Sequence, residues 1–71
     1  MEEAWKFRLT LERIGDQYRA GLLKYRELPD VREEVSRIYM AGSKDEAIAI
    51  AERAVYESGQ SKYELVDKTK G

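Results

Sequence analysis

The most constraining feature of the sequence is an unbroken alternation of apolar and polar side chains over residues 5 to 12. The segment reads Trp5-Lys6-Phe7-Arg8-Leu9-Thr10-Leu11-Glu12. Because successive side chains of a strand point to opposite faces, the four apolar residues share one face and the four polar residues share the other. A helix would distribute the apolar residues around its circumference. The segment is therefore predicted to be a β-strand with one buried face.

A second strand is predicted to return along the first through the loop Gly15-Asp16, since this dipeptide tolerates the positive φ of a two-residue hairpin loop. The strand covers residues 17 to 28 and is rich in Tyr and Leu. Its apolar residues change phase near Gly21, so we expect a β-bulge there. Pro29 ends the strand because it donates no ladder hydrogen bond.

Residues 31 to 41 have two interpretations. Val35 and Ile38 fit helical spacing, and a helix is one possibility. Against it, residues 35 to 40 are rich in β-branched and aromatic types, and they lead almost directly into another helix start. We favour a strand, preceded by a charged turn or bulge at Arg32-Glu33-Glu34.

One helix is predicted, and sequence signals mark both its start and its end. Ser43 is suited to cap its N-terminus, with Glu46 three residues later, and Ser58-Gly59 ends it. On a helical wheel six apolar residues fall within an arc of about 160°, a width suited to packing on a sheet. They are Ala47, Ile48, Ile50, Ala51, Ala54 and Val55. Tyr56 lies on the opposite side of the wheel.

Residues 62 to 67 are predicted to form a short final strand, with residues 1 to 4 and 68 to 71 frayed. The order is then β-β-β-α-β. This is an α+β fold, a single antiparallel sheet of about four strands with one helix packed on one face. The 71 residues allow a single domain, 1 to 71. We expect its core to contain the apolar faces of the first strand and of the helix, together with Ile38, Met40 and Leu65.

The chain has no Cys and no His. It therefore offers no disulfide, no thiolate ligand, no thiol nucleophile and no imidazole base. The adjacent carboxylates Glu33-Glu34 and Asp45-Glu46 do not converge on a strand or a helix, and no calcium-loop pattern is present. We expect a protein that is not an enzyme, with no catalytic residue, no cofactor and no metal.

Thirteen basic and fourteen acidic residues give a formal net charge of −1, which disfavours generic nucleic-acid binding. The N-terminal MEEAWK has no signal-peptide pattern, and no apolar run approaches the roughly 20 residues of a membrane span. We expect a soluble, cytoplasmic domain that does not enter a membrane.

Four short motifs carry a family resemblance. They are FRLTLER at residues 7 to 13, GDQY at 15 to 18, ELPD at 27 to 30 and AGSKDEA at 41 to 47. Together they resemble the HicB-type antitoxins. The resemblance implies a truncated RNase-H-like β-β-β-α-β module that is not an enzyme and that neutralises a small ribonuclease toxin. Asp30 stands where the family prefers Gly, and we do not expect the operator binding of full-length members.

A nucleic-acid site is possible on the first hairpin, because basic residues alternate there with an aromatic residue. The candidates are Lys6, Arg8, Arg19, Lys24, Arg26 and Tyr18. Such residues on a sheet face can stack bases and neutralise phosphate. The other interpretation, which we favour, is the solvent face of an amphipathic hairpin whose basic side chains protect a strand edge.

A protein-binding site is the stronger prediction. Tyrosine and tryptophan are enriched at interfaces, and the chain has five tyrosines and one tryptophan. Acidic residues around Pro29 could meet a basic partner and accelerate the encounter. The candidate partner-binding residues are Tyr56, Glu27, Asp30, Glu33, Glu34 and Tyr25.

The predicted function is a non-enzymatic protein-binding module that occludes its partner, an antitoxin-like inhibitor of a small ribonuclease toxin. A basic nucleic-acid-processing protein is the expected partner, with the acidic residues acting as phosphate mimics. One alternative is a phage or mobile-element inhibitor of a host defence complex, similar in role to an anti-CRISPR protein. Another is a small nucleic-acid-binding protein. A homodimer is also expected, since small sheets with an open edge pair readily.

Overall fold

A computed structural model describes residues 5–69. It contains four strands and one helix in the predicted order. They are β1 (Lys6–Ile14), β2 (Gln17–Glu27), β3 (Arg32–Ala41), α1 (Lys44–Glu57) and β4 (Glu64–Asp67). The strands form one sheet in the order β3-β2-β1-β4, and α1 packs against one face of it. The predicted α+β fold is confirmed.

The sheet is mixed, so the prediction of a single antiparallel sheet is wrong in one pairing. β1, β2 and β3 form an antiparallel meander, but β4 pairs with β1 in parallel. The helix is the reason. Because α1 returns the chain along the sheet, β4 runs in the same direction as β3. After crossing two strands it lies beside β1, which also runs in that direction.

The first hairpin turns through Gly15 and Asp16, as predicted. Among residues 5–69, φ is positive at Gly15 and at no non-glycine residue, the combination that a type II′ turn requires. The predicted bulge near Gly21 is wrong, because the register between β1 and β2 is continuous. No bulge is needed, because the apolar residues of β2 lie on both faces of the sheet. Leu22 faces the helix and Leu23 faces away from it.

The favoured strand at residues 31 to 41 is confirmed as β3. The predicted charged turn before it is wrong, because Arg32, Glu33 and Glu34 belong to the strand and pair with β2. The turn instead occupies residues 28 to 31 and is closed by the N–H of Leu28, which donates to the carbonyl oxygen of Val31 at 2.8 Å. Charged side chains are compatible with this position because an outer strand leaves them solvated.

The core lies between α1 and one face of the sheet. Its buried residues are Phe7, Leu9, Leu11, Ala20, Leu22, Ala41, Ala47, Ala51 and Val55. Ala47 and Ala51 are fully buried, and their small side chains allow the helix axis to approach the sheet closely.

Three residues predicted in the core are exposed instead: Ile38 by 65%, Met40 by 46% and Leu65 by 49%. Ile38 and Met40 lie on the face of β3 that points away from α1, since they pair with Gly21 and Arg19 of β2. Leu65 belongs to β4, which lies beyond the three strands on which the helix packs.

Helix α1 has the predicted bounds and caps. The Ser43 hydroxyl accepts a hydrogen bond from the N–H of Glu46 at 3.2 Å. At the other end the N–H of Gly59 donates to the carbonyl oxygen of Tyr56 at 2.9 Å. Gly59 has a φ of 85°, a left-handed conformation that glycine adopts without a steric penalty.

The short strand β4 is held to the helix at both ends. At its start the Tyr63 hydroxyl donates to the Glu52 carboxylate at 2.8 Å, and at its end the Lys44 ammonium donates to Asp67 at 2.5 Å. Burial and the Glu52 carboxylate raise the pKa of Tyr63 to about 12. The hydrogen bonds from Lys44 and Thr69 hold the pKa of Asp67 well below its usual range.

Residues just after β4 extend this attachment. The N–H of Lys68 donates to the carbonyl oxygen of Leu11 at 2.9 Å, and the N–H of Thr69 donates to the Asp67 carboxylate at 2.9 Å. The predicted fraying of residues 1 to 4, 70 and 71 falls outside the described residues.

Acid should weaken the attachment of β4. Because the pKa of Asp67 is lower in the folded state than in the unfolded chain, the ionised carboxylate stabilises the fold above about pH 4, and this contribution is lost as the pH falls further. We expect the free energy of unfolding, measured by urea denaturation from pH 7 to pH 2, to fall less steeply in Asp67→Asn than in the unchanged protein. Lys44→Met should also make the free energy of unfolding depend less steeply on pH. Equal slopes in all three proteins would contradict the prediction.

Candidate functional site

The two faces of the sheet differ in what covers them. Helix α1 covers one face, and within residues 5–69 no element covers the other, which we call the open face. It is formed by the even-numbered residues of β1, β3 and β4 and by the odd-numbered residues of β2, because paired residues of neighbouring strands point to the same side. Within the described residues, the fold leaves this whole face of the sheet unpartnered.

Apolar side chains are exposed on the β3 side of the open face. Ile38 is exposed because its cross-strand neighbour on β2 is Gly21, which has no side chain to pack against it. Met40 lies two residues further along the same face. The half-buried Leu23 extends the apolar surface onto β2. Exposed apolar groups that share one face mark an interaction site more often than scattered ones do.

Within residues 5–69, most charged side chains of the open face are paired with a neighbouring side chain of opposite charge. The three ion pairs are Arg8–Glu64 at 3.1 Å, Arg19–Glu12 at 2.7 Å and Arg32–Glu34 at 2.8 Å. The Arg19 guanidinium lowers the pKa of Glu12. Exposed pairs of this kind add little stability. They surround the apolar residues with charge that is already neutralised.

The six predicted nucleic-acid residues do not form one surface. Lys6, Arg8 and Arg19 lie on the open face, whereas Tyr18, Lys24 and Arg26 lie on the helix side. Arg26 is bonded to Glu33 at 2.6 Å, so every arginine of the set has a carboxylate partner. A nucleic-acid strand would have to contact both sides of the sheet to use all six residues.

Basic side chains of the same chain lie against two aromatic rings, those of Trp5 and Tyr25. Lys24 and Arg26 lie 4.5 and 4.4 Å from the ring centre of Trp5. Arg8 and Arg32 lie 5.9 and 4.8 Å from the ring centre of Tyr25. Cations at these distances are attracted to the ring face, and they occupy the surface on which a base would stack.

The predicted partner-binding residues are spread over several surfaces. Tyr56 is exposed on the outer side of α1, as the helical wheel predicts. Tyr25 and Glu34 lie on the open face, and Glu33 lies on the helix side. Glu27, the last residue of β2, also lies on the open face, and Asp30 is exposed in the turn between β2 and β3. The structure therefore brings Tyr25, Glu27 and Glu34 to one end of the open face, where Tyr25 and Glu34 are direct cross-strand neighbours.

A groove with a volume of about 440 Å³ separates α1 from β3. Phe7 and Leu22 line it together with Val35 and Tyr39 from β3 and Ile50 from α1. It exists because the helix leaves the β3 side of the sheet only partly covered. Sequence reasoning did not predict this groove, since the lateral position of a helix on a sheet has no local signal.

The two edges of the sheet are also unequal. On one side the four-residue strand β4 lies beside β1 and is held by the helix. On the other side β3 is the outermost strand over ten residues, and we call its unpaired side the free edge. Val35, Ile38 and Met40 are all exposed on β3. A long edge strand with exposed apolar side chains can act as a template for pairing with another chain.

Among residues 5–69, no three acidic side chains are gathered where they could hold a metal ion. In the same part of the chain, α1 is too short and too polar to cross a membrane. Compared with models of protein families, with curated proteins and with solved structures, the chain matches none of them.

Proposed function

We propose that this chain is a non-enzymatic protein-binding module that docks on its partner through the open face. The observation that supports the proposal is the exposure of Ile38 and Met40 on a face that no described element covers. Burial of large apolar side chains is the main driving force of protein association. Folding leaves these two without a partner, so association would bury them.

The surroundings of these side chains support a protein partner. The three ion pairs of the open face, Arg8–Glu64, Arg19–Glu12 and Arg32–Glu34, flank the apolar residues with charge of both signs. Apolar residues at the centre with polar residues at the rim are typical of protein interfaces. Phosphate binding would instead need unpaired basic residues.

An antitoxin-like inhibitor of a small ribonuclease toxin, acting in the cytoplasm, is the narrower form of the proposal. What supports it is the resemblance of four motifs to HicB-type antitoxins, together with the order β-β-β-α-β. Glu27 and Asp30 are exposed at the turn between β2 and β3, where they could meet a basic surface of the toxin. A module of this kind blocks its partner by covering it.

Site-specific photo-cross-linking in the source cells tests the proposal. A benzophenone amino acid at Thr10, in the middle of the open face and away from the free edge, should give one discrete adduct with another protein. The same amino acid at Ala49, an exposed position on α1, should give none. A small basic ribonuclease in the adduct would support the narrower form. A nuclease-sensitive adduct at Thr10, or the same adducts at both positions, would overturn the proposal.

Oligonucleotide binding provides a second test. Because Arg8, Arg19 and Arg26 of the hairpin are paired with carboxylates, we expect fluorescence anisotropy with labelled single-stranded and duplex oligonucleotides to show no affinity tighter than about 1 μM at roughly 0.15 M salt. Tighter binding that weakens steeply with added salt would favour the nucleic-acid alternative.

A further inference from the structure

We infer that a second copy of this chain occupies the free edge of β3, through antiparallel pairing of the two β3 strands centred on Ile38. The two four-stranded sheets then become one continuous sheet. This inference goes beyond the proposed function, because it assigns the edge of the sheet, whereas the proposed function uses the open face.

Between Val35 and Ala41 the free edge lacks most of the features that usually prevent strand pairing. Proteins protect an outer strand with charged side chains, a bulge, a proline or a very short length. Three of the four charged residues of β3 are Arg32, Glu33 and Glu34, which lie before this segment, and Arg37 is the fourth. β3 pairs with β2 in continuous register from Arg32 to Ala41, has ten residues and contains no proline. Its outward N–H and C=O groups are therefore available along the whole strand. The opposite side of the sheet ends in the short strand β4, which the helix holds in place.

Exposed apolar side chains are concentrated at this edge. Val35, Ile38 and Met40 lie on β3, and Val31 lies just before it. Val35 lies on the helix side of the sheet and the other two β3 residues lie on the open face. A strand added at the free edge would therefore cover apolar groups on both sides of the sheet.

In one register, the side chains of β3 in one copy complement those of β3 in the second copy. A two-fold axis perpendicular to the sheet places both helices on the same side. With the axis at Ile38, the two Ile38 side chains are opposite each other and Arg37 is opposite Tyr39 of the second copy. Ser36 is then opposite Met40. This register contains an apolar pair and two cation–aromatic pairs, and no like charges face each other.

Neighbouring registers are less favourable. An axis at Arg37 would place two guanidinium groups opposite each other, and like charges in this position are destabilising. An axis at Ser36 would place the Glu34 carboxylate opposite Ile38. An axis at Tyr39 would pair only residues 37 to 41, because β3 ends at Ala41, whereas the axis at Ile38 pairs residues 35 to 41. Charge and the length of the pairing therefore favour the axis at Ile38.

The helix leaves room for the second strand. The groove of about 440 Å³ separates α1 from β3, and its β3 wall is formed by Val35, Arg37 and Tyr39. A strand at the free edge would lie beyond this wall. The grooves of the two copies would face each other across the two-fold axis.

Disulfide trapping tests the register, since the chain contains no cysteine. Directly opposed residues of an antiparallel pair have Cα atoms about 4.5–5.5 Å apart, within disulfide range. Ile38→Cys should therefore form a linked dimer under mild oxidation. Ser36→Cys should stay monomeric on a denaturing gel, because its two sulfur-bearing positions would be about 13 Å apart along the strands. Linkage of Ser36→Cys without linkage of Ile38→Cys would overturn the register.

Sedimentation velocity tests the dimer itself. The unchanged chain should sediment at twice the monomer mass of 8.3 kDa. Ile38→Lys places two ammonium groups on the two-fold axis and should raise the dimer dissociation constant at least tenfold. Ile14→Lys is the matched control, because Ile14 is exposed on the open face but lies on β1. A monomer at millimolar concentration, or equal weakening by both variants, would overturn the inference. Neither assay uses Thr10, so its outcome is independent of the cross-linking result.

Discussion

Leu9→Ala is expected to destabilise the fold by about 2–5 kcal/mol. Leu9 is fully buried at the middle of β1, between β2 and β4 and beneath α1. Removing its side chain loses apolar burial and leaves a cavity that these elements can fill only by moving. A domain of this size has a stability on the order of 5 kcal/mol. At the upper end of this range about half of the variant would be unfolded at 25 °C.

Leu65→Ala is the matched control for Leu9→Ala. Leu65 is the parallel cross-strand neighbour of Leu9 but is half exposed. The same substitution should therefore lower the free energy of unfolding by less than about 1 kcal/mol. Urea denaturation followed by circular dichroism measures both losses. Similar losses in the two variants would mean that the helix does not bury Leu9.

Ala51→Leu is expected to destabilise the fold by about 1–3 kcal/mol, through overpacking. Ala51 is fully buried on the face of α1 that contacts the sheet. A larger side chain there can be accommodated only if the helix moves away from the sheet. That movement would weaken the contacts of Ala47 and Val55 on the same face.

Ala49→Leu is the control for overpacking, because Ala49 is exposed on the same helix. Leucine and alanine have similar helix propensities, so this change should alter the stability by no more than about 0.5 kcal/mol. The melting temperature of the Ala51→Leu variant should fall by several degrees, while that of Ala49→Leu stays near the unchanged value. Equal melting temperatures in the two variants would contradict the close approach of helix and sheet.

The elements with strong local signals could be predicted from the sequence. The alternation over residues 5 to 12 predicted β1, and Ser43 and Gly59 predicted the ends of α1. The β4 pairing could not be predicted in the same way, since no local signal specifies which strand a distant segment joins. The bulge near Gly21 was predicted wrongly because β2 carries apolar residues on both faces, and a phase change is not needed to place them.

The candidate site was largely missed for a related reason. β3 has apolar residues at odd positions, such as Val35 and Tyr39, and at even positions, such as Ile38 and Met40. Alternation alone therefore did not show which set the helix covers. Ile38 and Met40 were assigned to the core, whereas the structure places them on the open face. The opposing Gly21 is a signal in retrospect, but only once the register is known.

The parallel pairing of β4 with β1 has a consequence for folding. β1, β2 and β3 are joined by short turns, so they can assemble from contacts that are close in sequence. The β1 edge, however, has no strand beside it until β4 has crossed the sheet and paired there. A chain caught between these two steps presents a second unpaired edge to its neighbours, so misassembly during refolding should increase with protein concentration.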